Sequence, residues 1–277
     1  MKFEGFGFSA EIDENDYNAL QKVSDSNFIG LVGGDWLKYW RWNNLVNIAK
    51  KFSKKCEENQ FNPQQVAPKF LSHFFENCSL EDDESLQDIW ADLLYSESNK
   101  QGSVSLKTLQ VLKFMSKEEA KILKSLFQYV IRMDNHTGFI FDHRKFRNDF
   151  GIQFEDLLEL EEQGLIQRDL SINMEIGNEA VTYFSGDFAL FITNITGNDF
   201  CPFRVPIYKL TKTGFEIFKL EKQKSNLESI KYFAHQIQQD NEGIKCSVHE
   251  IVEFYPDGKF TYLLENLLIE GDRSVHE

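Results

Sequence analysis

The sequence lacks any apolar run that approaches the roughly 18 residues of a membrane-spanning helix, which argues against an integral helical membrane protein. No apolar segment follows a basic start at the N-terminus, so no secretory signal is visible. The four cysteines (Cys56, Cys78, Cys201 and Cys246) lie far apart and form no CxxC pair or zinc-knuckle spacing. In a chain without an export signal they predict reduced, mostly buried thiols and a cytoplasmic protein.

Positive charge is also scarce. Lys and Arg number 30 against 44 Asp and Glu, so the net charge is −14 and the pI is about 5.0. This balance argues against a surface coated in positive charge for nucleic acid or anionic lipid. Hydrophobic residues make up 42% of the 277 residues and include 26 Phe, which excludes a wholly disordered chain. The length suits one large domain or two ordinary ones.

Helical periodicity dominates the first 135 residues. A long helix is predicted over 36–58 after an N-cap at Asp35, and two glycines precede that cap. The acidic run 81–84 stands at the start of another helix, where carboxylates favour the positive end of the helix dipole. That helix is predicted to bury Leu86, Ile89, Trp90, Leu93 and Leu94. Ser116 and Glu119 form a capping box for a further helix.

The pattern changes after residue 135. A strand at 137–141 precedes short helices at 142–150 and 154–163, and strand-like runs follow up to residue 210. This is the element order of a winged helix, with an unusually long wing over 169–204. The sequence therefore predicts a predominantly helical α+β protein with three parts. They are an N-terminal helical bundle (1–135), a winged-helix-like domain with an extended β wing (136–222), and a small C-terminal extension of helix and hairpin (223–277).

Two stretches carry a family resemblance. The first contains Arg41-Trp42-Asn43-Asn44-Leu45, then Val66-Ala67-Pro68-Lys69-Phe70-Leu71, then the acidic block Ser79-Leu80-Glu81-Asp82-Asp83-Glu84-Ser85-Leu86-Gln87-Asp88-Ile89-Trp90-Ala91-Asp92-Leu93-Leu94. It resembles the bacterial abortive-infection alpha (Abi-alpha) family and its uncharacterised relatives. The second, which includes Gly102–Ala120 and ends at Leu210-Thr211-x-x-Gly214, is similar to neighbouring bacterial proteins of unknown function.

The resemblance implies a bacterial cytosolic protein with a role in phage defence. It supplies no agreed activity, no cofactor and no catalytic residue. The positions that match its structural motif are Asn44, Pro68, Glu81, Trp90 and Leu94.

DNA binding is the first function that a winged helix suggests. The segment at the recognition-helix position, 154–163, has five carboxylates and no basic residue, so a major groove would repel it. The better candidate for an anionic partner is the basic helix 36–58, beside Trp36, Trp40 and Trp42. The alternative is that these tryptophans are core and the lysines face solvent, paired with the acidic run 81–84. The candidate contacts to an anionic partner are Lys38, Arg41, Lys50, Lys51, Lys54, Lys55, Arg144, Lys145 and Arg147.

Enzymatic signals are weak. The glycines of 30–34 lack the Gly-Lys-Ser/Thr ending of a phosphate loop, and Asp35 would stand where the anion should lie. No Gly-x-Ser-x-Gly elbow or HExxH motif occurs. Two acidic groups offer material for a metal centre, without a recognised ligand spacing. They are Asp82, Asp83, Glu84 and Asp88 in the first group, and Asp134, His136, Asp142 and His143 in the second.

The lack of a catalytic pattern and the acidic segment 154–163 favour a non-enzymatic, cytosolic protein that acts through contact with another protein or with itself, and the resemblance implies that its role is antiphage defence. Two alternatives stay open: a nucleic-acid-binding regulator that uses helix 36–58, and a toxic effector that is either a nuclease or membrane-active.

Overall fold

The computed structural model of the chain describes residues 2–3, 10–11, 33–134, 137–220, 225–255 and 259–268. The chain is divided into two compact units, of which the first comprises residues 1–120 and the second residues 121–277. The domain boundaries at 135 and 222 stay predictions. The sequence also predicts a short helix near 13–28 and a hairpin turn at 256–258. Both of these segments and Gly30 lie outside the described residues.

The first unit consists mainly of helices. They are α1 (Gly33–Glu58), α2 (Pro68–Cys78), α3 (Glu84–Asn99), α4 (Leu106–Phe114) and the start of α5 (Lys117–Leu126). Two short strands, β1 (Lys2–Phe3) and β2 (Ala10–Glu11), pair antiparallel before them. The main helix contacts in this unit join α1 to α3 and α2 to α4. Trp90 and Leu94 are buried on α3, as the periodicity predicts.

Side-chain caps explain where three of these helices begin. The Asp83 carboxylate accepts from the amides of Ser85 and Leu86 at the start of α3, and Ser105 caps α4 through the Thr108 amide. The predicted capping box is confirmed, since the Ser116 hydroxyl accepts from the Glu119 amide and the Glu119 carboxylate accepts from the Ser116 amide. Each cap satisfies amides that the first turn of a helix leaves unpaired.

The second unit is built on an antiparallel sheet. Its strands are β3 (Ile131–Arg132), β4 (Gly138–Phe141), β5 (Ile166–Ile176), β6 (Val181–Ser185), β7 (Phe188–Asn194), β8 (Cys201–Leu210), β9 (Ile244–Phe254) and β10 (Phe260–Tyr262). Its helices are the rest of α5, α6 (Arg144–Asp149), α7 (Phe154–Glu162), α8 (Lys212–Phe218) and α9 (Leu227–Asp240). The strand order is β10-β9-β7-β6-β3-β4-β8-β5.

The coarse prediction of a mixed α+β chain is confirmed, and two details differ. Strand β3 begins before residue 135, so the helical part ends earlier than predicted. Residues 169–204, predicted as one long wing, contribute parts of β5 and β8 and the whole of β6 and β7 to the large sheet. Burial of Tyr183, Leu190 and Ile192 explains this difference, because an exposed wing could not remove those side chains from water.

The Leu-Thr-x-x-Gly segment has a structural role at the end of β8. The Thr211 hydroxyl accepts from the Gly214 amide and donates to the Gly164 carbonyl at 2.7 Å. A Cβ atom at Gly214 would lie 2.0 Å from the Leu165 carbonyl oxygen, so no larger residue fits there. The segment therefore joins α8 closely to the start of β5.

Candidate functional site

The Arg-x-x-Asn segment of α1 binds the turn that follows α2. Arg41 donates from Nε to the Ser79 hydroxyl at 3.0 Å, and Asn44 donates from Nδ2 to the Ser79 carbonyl at 3.1 Å. Asn44 is buried, and Ser79 is the C-cap of α2. Gln87 of α3 donates to the Glu81 carbonyl at 2.9 Å. These residues therefore fix the connection between three helices and satisfy carbonyls at a helix end.

The lysines of α1 face the carboxylates of α3. Lys51 lies 2.6 Å from Asp88 and also donates to the Glu84 carbonyl, while Lys55 forms an ion pair with Asp92. Lys54 lies 3.7 Å from Glu58 on the same helix. Lys51 and Lys55 thus pair with carboxylates that lie one to two turns beyond the predicted partner, residues 81–84. Trp42 is 40% exposed, so it is not a core residue.

The Asp83 carboxylate joins a helix cap to an ion pair. Lys117 Nζ lies 2.6 Å from Oδ2, while Oδ1, the oxygen that caps the helix, also accepts a hydrogen bond from the Ser85 hydroxyl. The Lys117 ammonium and then the Ser85 hydroxyl hold the pKa of Asp83 well below its usual range. Asp83 is therefore ionised in the folded protein under conditions where an unfolded aspartate takes up a proton.

We expect Asp83→Ala to lower the free energy of unfolding by about 1 kcal/mol, since it removes the cap of α3. Asp83→Asn keeps a capping oxygen and should lose less. Because the folded pKa is lowered, the stabilisation from the charge is complete above the unfolded pKa of about 3.9 and disappears as the pH falls through the folded value. Urea denaturation at pH 7 and at pH 3 measures this. The wild type should exceed Asp83→Asn in free energy of unfolding by more at pH 7 than at pH 3. A difference that is larger at pH 3 would contradict this prediction.

The two groups that offer material for a metal centre do not form one among their described members. Among the described residues, no three His, Cys, Asp or Glu side chains are placed to hold a metal ion. Asp83 and Asp88 are held by Lys117 and Lys51, and the Asp134 carboxylate accepts from the Thr137 amide. His136 lies outside the described residues. His143 Nδ1 lies 2.9 Å from the Tyr232 hydroxyl, within a cluster of aromatic rings.

All four cysteines are buried free thiols. Burial raises the pKa of Cys246 to about 12 and that of Cys78 further still. Thiols with such pKa values stay protonated near neutral pH, so neither residue is an activated nucleophile.

A buried carboxylate pairs with two arginines at the centre of the second unit. The Asp142 side chain, at the end of β4, is 2% exposed and accepts from Arg147 of α6 and from Arg168 Nε of β5 at 2.9 Å. Both guanidinium groups lie over the Phe154 ring at the start of α7, at 5.4 and 5.8 Å from its centroid. The cluster therefore ties together the end of β4, helices α6 and α7, and strand β5, which lies beyond β8 in the sheet.

Arg147 is predicted from the sequence as a contact to an anionic partner, together with Arg144 and Lys145. Arg144 and Lys145 are exposed. Arg147 instead pairs with Asp142, which reasoning from the sequence had grouped with metal ligands. Arg168 was missed, and no local pattern reveals it, because its partner lies 26 positions away.

The outward face of α7 is acidic around an apolar ridge. Leu157 and Leu160 are buried, whereas Phe154 and Leu158 are 36% and 40% exposed and stand four residues apart on one side of the helix. Glu155, Glu159 and Glu162 are exposed beside them. This surface combines apolar area with negative charge, which favours a partner that is both apolar and positively charged.

Another surface is the part of the sheet around Arg132. The Arg132 guanidinium lies over the rings of Phe184 and Phe254, at 5.6 and 6.0 Å from their centroids. Its Nε atom is buried and has no hydrogen-bond partner within the part of the chain that the structure describes. Burial lowers the pKa of Arg132, which reflects the cost of removing its charge from water.

No helix within the described ranges is long and apolar enough to cross a membrane.

The comparison with protein families gives one result: the model of DUF2806, a protein of unknown function, matches residues 37–234. Neither the curated proteins nor the solved structures contain a match to the chain. The matched segment covers more than half of the 277 residues. It includes most of α1 and the whole of α2 to α8, with the turn at Ser79, the Asp142 cluster and the face of α7. The chain therefore belongs to the DUF2806 family of proteins of unknown function.

Proposed function

We propose that this protein is a non-enzymatic, cytosolic bacterial protein that takes part in abortive-infection defence against phage. In this proposal it acts by binding another protein through the outward face of α7. The observation that carries the proposal is the composition of that face, with Glu155, Glu159 and Glu162 exposed around Phe154 and Leu158.

The charges on α7 decide between DNA and protein as partner. A recognition helix in a major groove lies between two rows of phosphates, and each carboxylate on its outer face raises the free energy of that complex. The same carboxylates favour a protein surface with lysine or arginine. Exposed Leu158 and Phe154 add apolar area, which is typical of the centre of a protein interface.

The arrangement of strands supports a winged-helix-like unit as the scaffold. β4 pairs with β8 and β8 pairs with β5, while α6 and α7 connect β4 to β5 along the chain. This order resembles that of a winged helix with the β6-β7 hairpin inserted, and it therefore supports this part of the proposal. In the first unit, the packing of α1 on α3 and of α2 on α4 supports the predicted N-terminal helical bundle.

The resemblance of the Arg41 to Leu94 region to the Abi-alpha family favours phage defence. Four buried free thiols favour a reducing compartment, and therefore the cytosol. The nucleic-acid-binding regulator that uses helix 36–58 and the toxic effector stay predictions from the sequence. Lys51 and Lys55 of that helix are already paired with Asp88 and Asp92. For this reason we do not prefer the nucleic-acid-binding regulator.

The test is a phage challenge of a sensitive bacterial host that expresses the chain. We expect the wild type to lower plaquing for at least one phage, and Leu158→Arg with Glu159→Lys to abolish that protection. Replacing residues at the centre of an interface weakens binding by about 2 kcal/mol or more, which is roughly thirtyfold. Both side chains are exposed, so the melting temperature of the variant should change little.

A matched control reverses two exposed carboxylates elsewhere in the second unit, Glu179→Lys with Glu242→Lys. This control should keep protection in full. Unchanged plaquing across a broad phage panel would contradict the role in defence. An equal loss of protection in the control would show that protection depends on the net charge of the protein and not on the face of α7. Cleaved host DNA or a collapsed membrane potential on expression would favour a toxic effector instead.

A further inference from the structure

A row of aromatic residues covers one face of the sheet around β6, β7, β9 and β10. Strand pairing places Arg132 opposite Phe184, and directly paired residues share a face. The rings form a continuous series, with centroids 5.1 Å apart for Phe184 and Phe260, and 5.0 Å for Phe191 and Tyr262. Phe254 is 47% exposed and Tyr262 is 38% exposed. We call Arg132, Phe184, Phe191, Phe254, Phe260 and Tyr262 the aromatic face.

Helix α9 covers the opposite side of this sheet. Its Phe233 ring lies 5.6 Å from Phe139, which contacts Tyr183, the neighbour of Phe184 on β6. Successive residues of a strand point to opposite faces, so Tyr183 faces α9 and Phe184 faces away from it. The aromatic face is therefore a second surface of the sheet, separate from the core under α9.

Arg132 gives this face a positive charge that no carboxylate balances. Its guanidinium lies over the Phe184 and Phe254 rings, but within the described ranges no carboxylate forms an ion pair with it and its Nε atom has no acceptor. A half-buried charge without an anionic partner is costly, and in a chain of net charge −14 carboxylates are abundant elsewhere. This face therefore favours a ligand that carries negative charge and can pack against aromatic rings.

We propose that the aromatic face binds single-stranded nucleic acid, with bases stacked on Phe254 and Tyr262 and a backbone phosphate against Arg132. Unpaired bases present flat apolar surfaces, and aromatic residues on a sheet stack with them with little sequence preference. A duplex hides those surfaces, so double-stranded nucleic acid does not fit. This inference does not depend on the proposed function, which uses the face of α7.

The experiment is fluorescence anisotropy of a labelled oligothymidine of about 12 nucleotides, within the usual range for such surfaces. The full chain should bind it at about 0.05 M salt and should not bind the matching duplex. Phe254→Ala and Tyr262→Ala should each weaken binding about fivefold or more, because each removes one stacking partner. Arg132→Gln should weaken binding and reduce the slope of log affinity against log salt by about one.

Two variants separate stacking from damage to the fold. Phe200→Ala removes an aromatic side chain that is 64% exposed outside the aromatic face, and it should bind like the wild type. Phe254→Trp should bind as well as the wild type, and the fluorescence of the new indole should fall when the oligonucleotide is added.

Several results would overturn the proposal. They are no binding even at low salt, equal affinity for the duplex, an equal loss in Phe200→Ala, and full binding by Phe254→Ala, Tyr262→Ala and Arg132→Gln together. If the alanine variants only change a concentration-dependent molecular mass, a second copy of the chain occupies this face and nucleic acid does not.

Discussion

Replacing Trp90 with alanine is expected to lower the free energy of unfolding by about 3–5 kcal/mol. The Trp90 ring on α3 is fully buried, and its centroid lies 5.5 Å from that of Phe74 on α2 in an edge-to-face arrangement. The substitution leaves a cavity between these two helices. It removes no hydrogen bond, because the indole N–H has no acceptor among the residues that the structure describes.

Urea denaturation followed by far-UV circular dichroism measures this loss without depending on tryptophan fluorescence. Trp90→Phe keeps an aromatic ring against Phe74 and should lose clearly less than Trp90→Ala. Trp42→Ala is the comparison variant, because its side chain is 40% exposed on α1 and therefore buries less apolar surface, so its loss should be clearly smaller than that of Trp90→Ala. Equal unfolding midpoints for Trp90→Ala and Trp42→Ala would mean that the packing of α3 does not limit the stability of the first unit.

Helices could be predicted from the sequence because their signals are local. The capping box at Ser116 and Glu119 spans four residues, and the burial of Leu86, Trp90 and Leu94 follows from spacing within one helix. The start of α1 was less well predicted. The helix begins at Gly33, two residues before the expected cap at Asp35, and helix ends are the least certain part of such patterns.

The sheet was predicted only strand by strand, because its pairing joins distant parts of the chain. β3 pairs with β6, and β7 pairs with β9 about 55 residues later. Alternation of apolar residues identifies a strand and says nothing about its neighbour. The stretch 169–204 was accordingly assigned to a wing, although its strands complete the sheet between β3 and β9.

The candidate sites show the same division between local and distant signals. Five carboxylates on α7 are visible in ten consecutive residues, so the acidic face could be predicted. The aromatic face could not, since Arg132, Phe184 and Phe260 come from three separate strands. The partners of Asp142 lie 5 and 26 positions away, and neither separation is a spacing that places two side chains side by side on one helix.

Asp142→Asn is expected to lower the free energy of unfolding of the second unit by about 3–5 kcal/mol. The carboxylate is buried, and two guanidinium groups donate to it. The amide removes the negative charge, so Arg147 and Arg168 then repel each other without compensation. Asp149→Asn is the matched control, because it neutralises an exposed carboxylate on α6, the short helix that carries Arg147. It should change stability by less than about 0.5 kcal/mol.

A double variant distinguishes the loss of the ion pair from other effects of the single substitutions on stability. Asp142→Asn with Arg147→Gln removes one carboxylate and one guanidinium together, so its loss should be smaller than the sum of the two single losses. Strict additivity in urea denaturation would contradict a direct interaction between these charges.

The same substitution should act on the proposed binding surface from a distance. Arg147 and Arg168 both lie over the Phe154 ring at the first residue of α7, so the Asp142 carboxylate fixes the two groups that hold the start of that helix. Without it, Phe154 loses its defined position while every glutamate on the outer face stays in place. We therefore expect Asp142→Asn to reduce phage protection at a temperature where the protein is still folded, and Asp149→Asn to keep it. If Asp142→Asn protects fully while its melting temperature falls, the cluster stabilises the fold and does not position α7 for its partner.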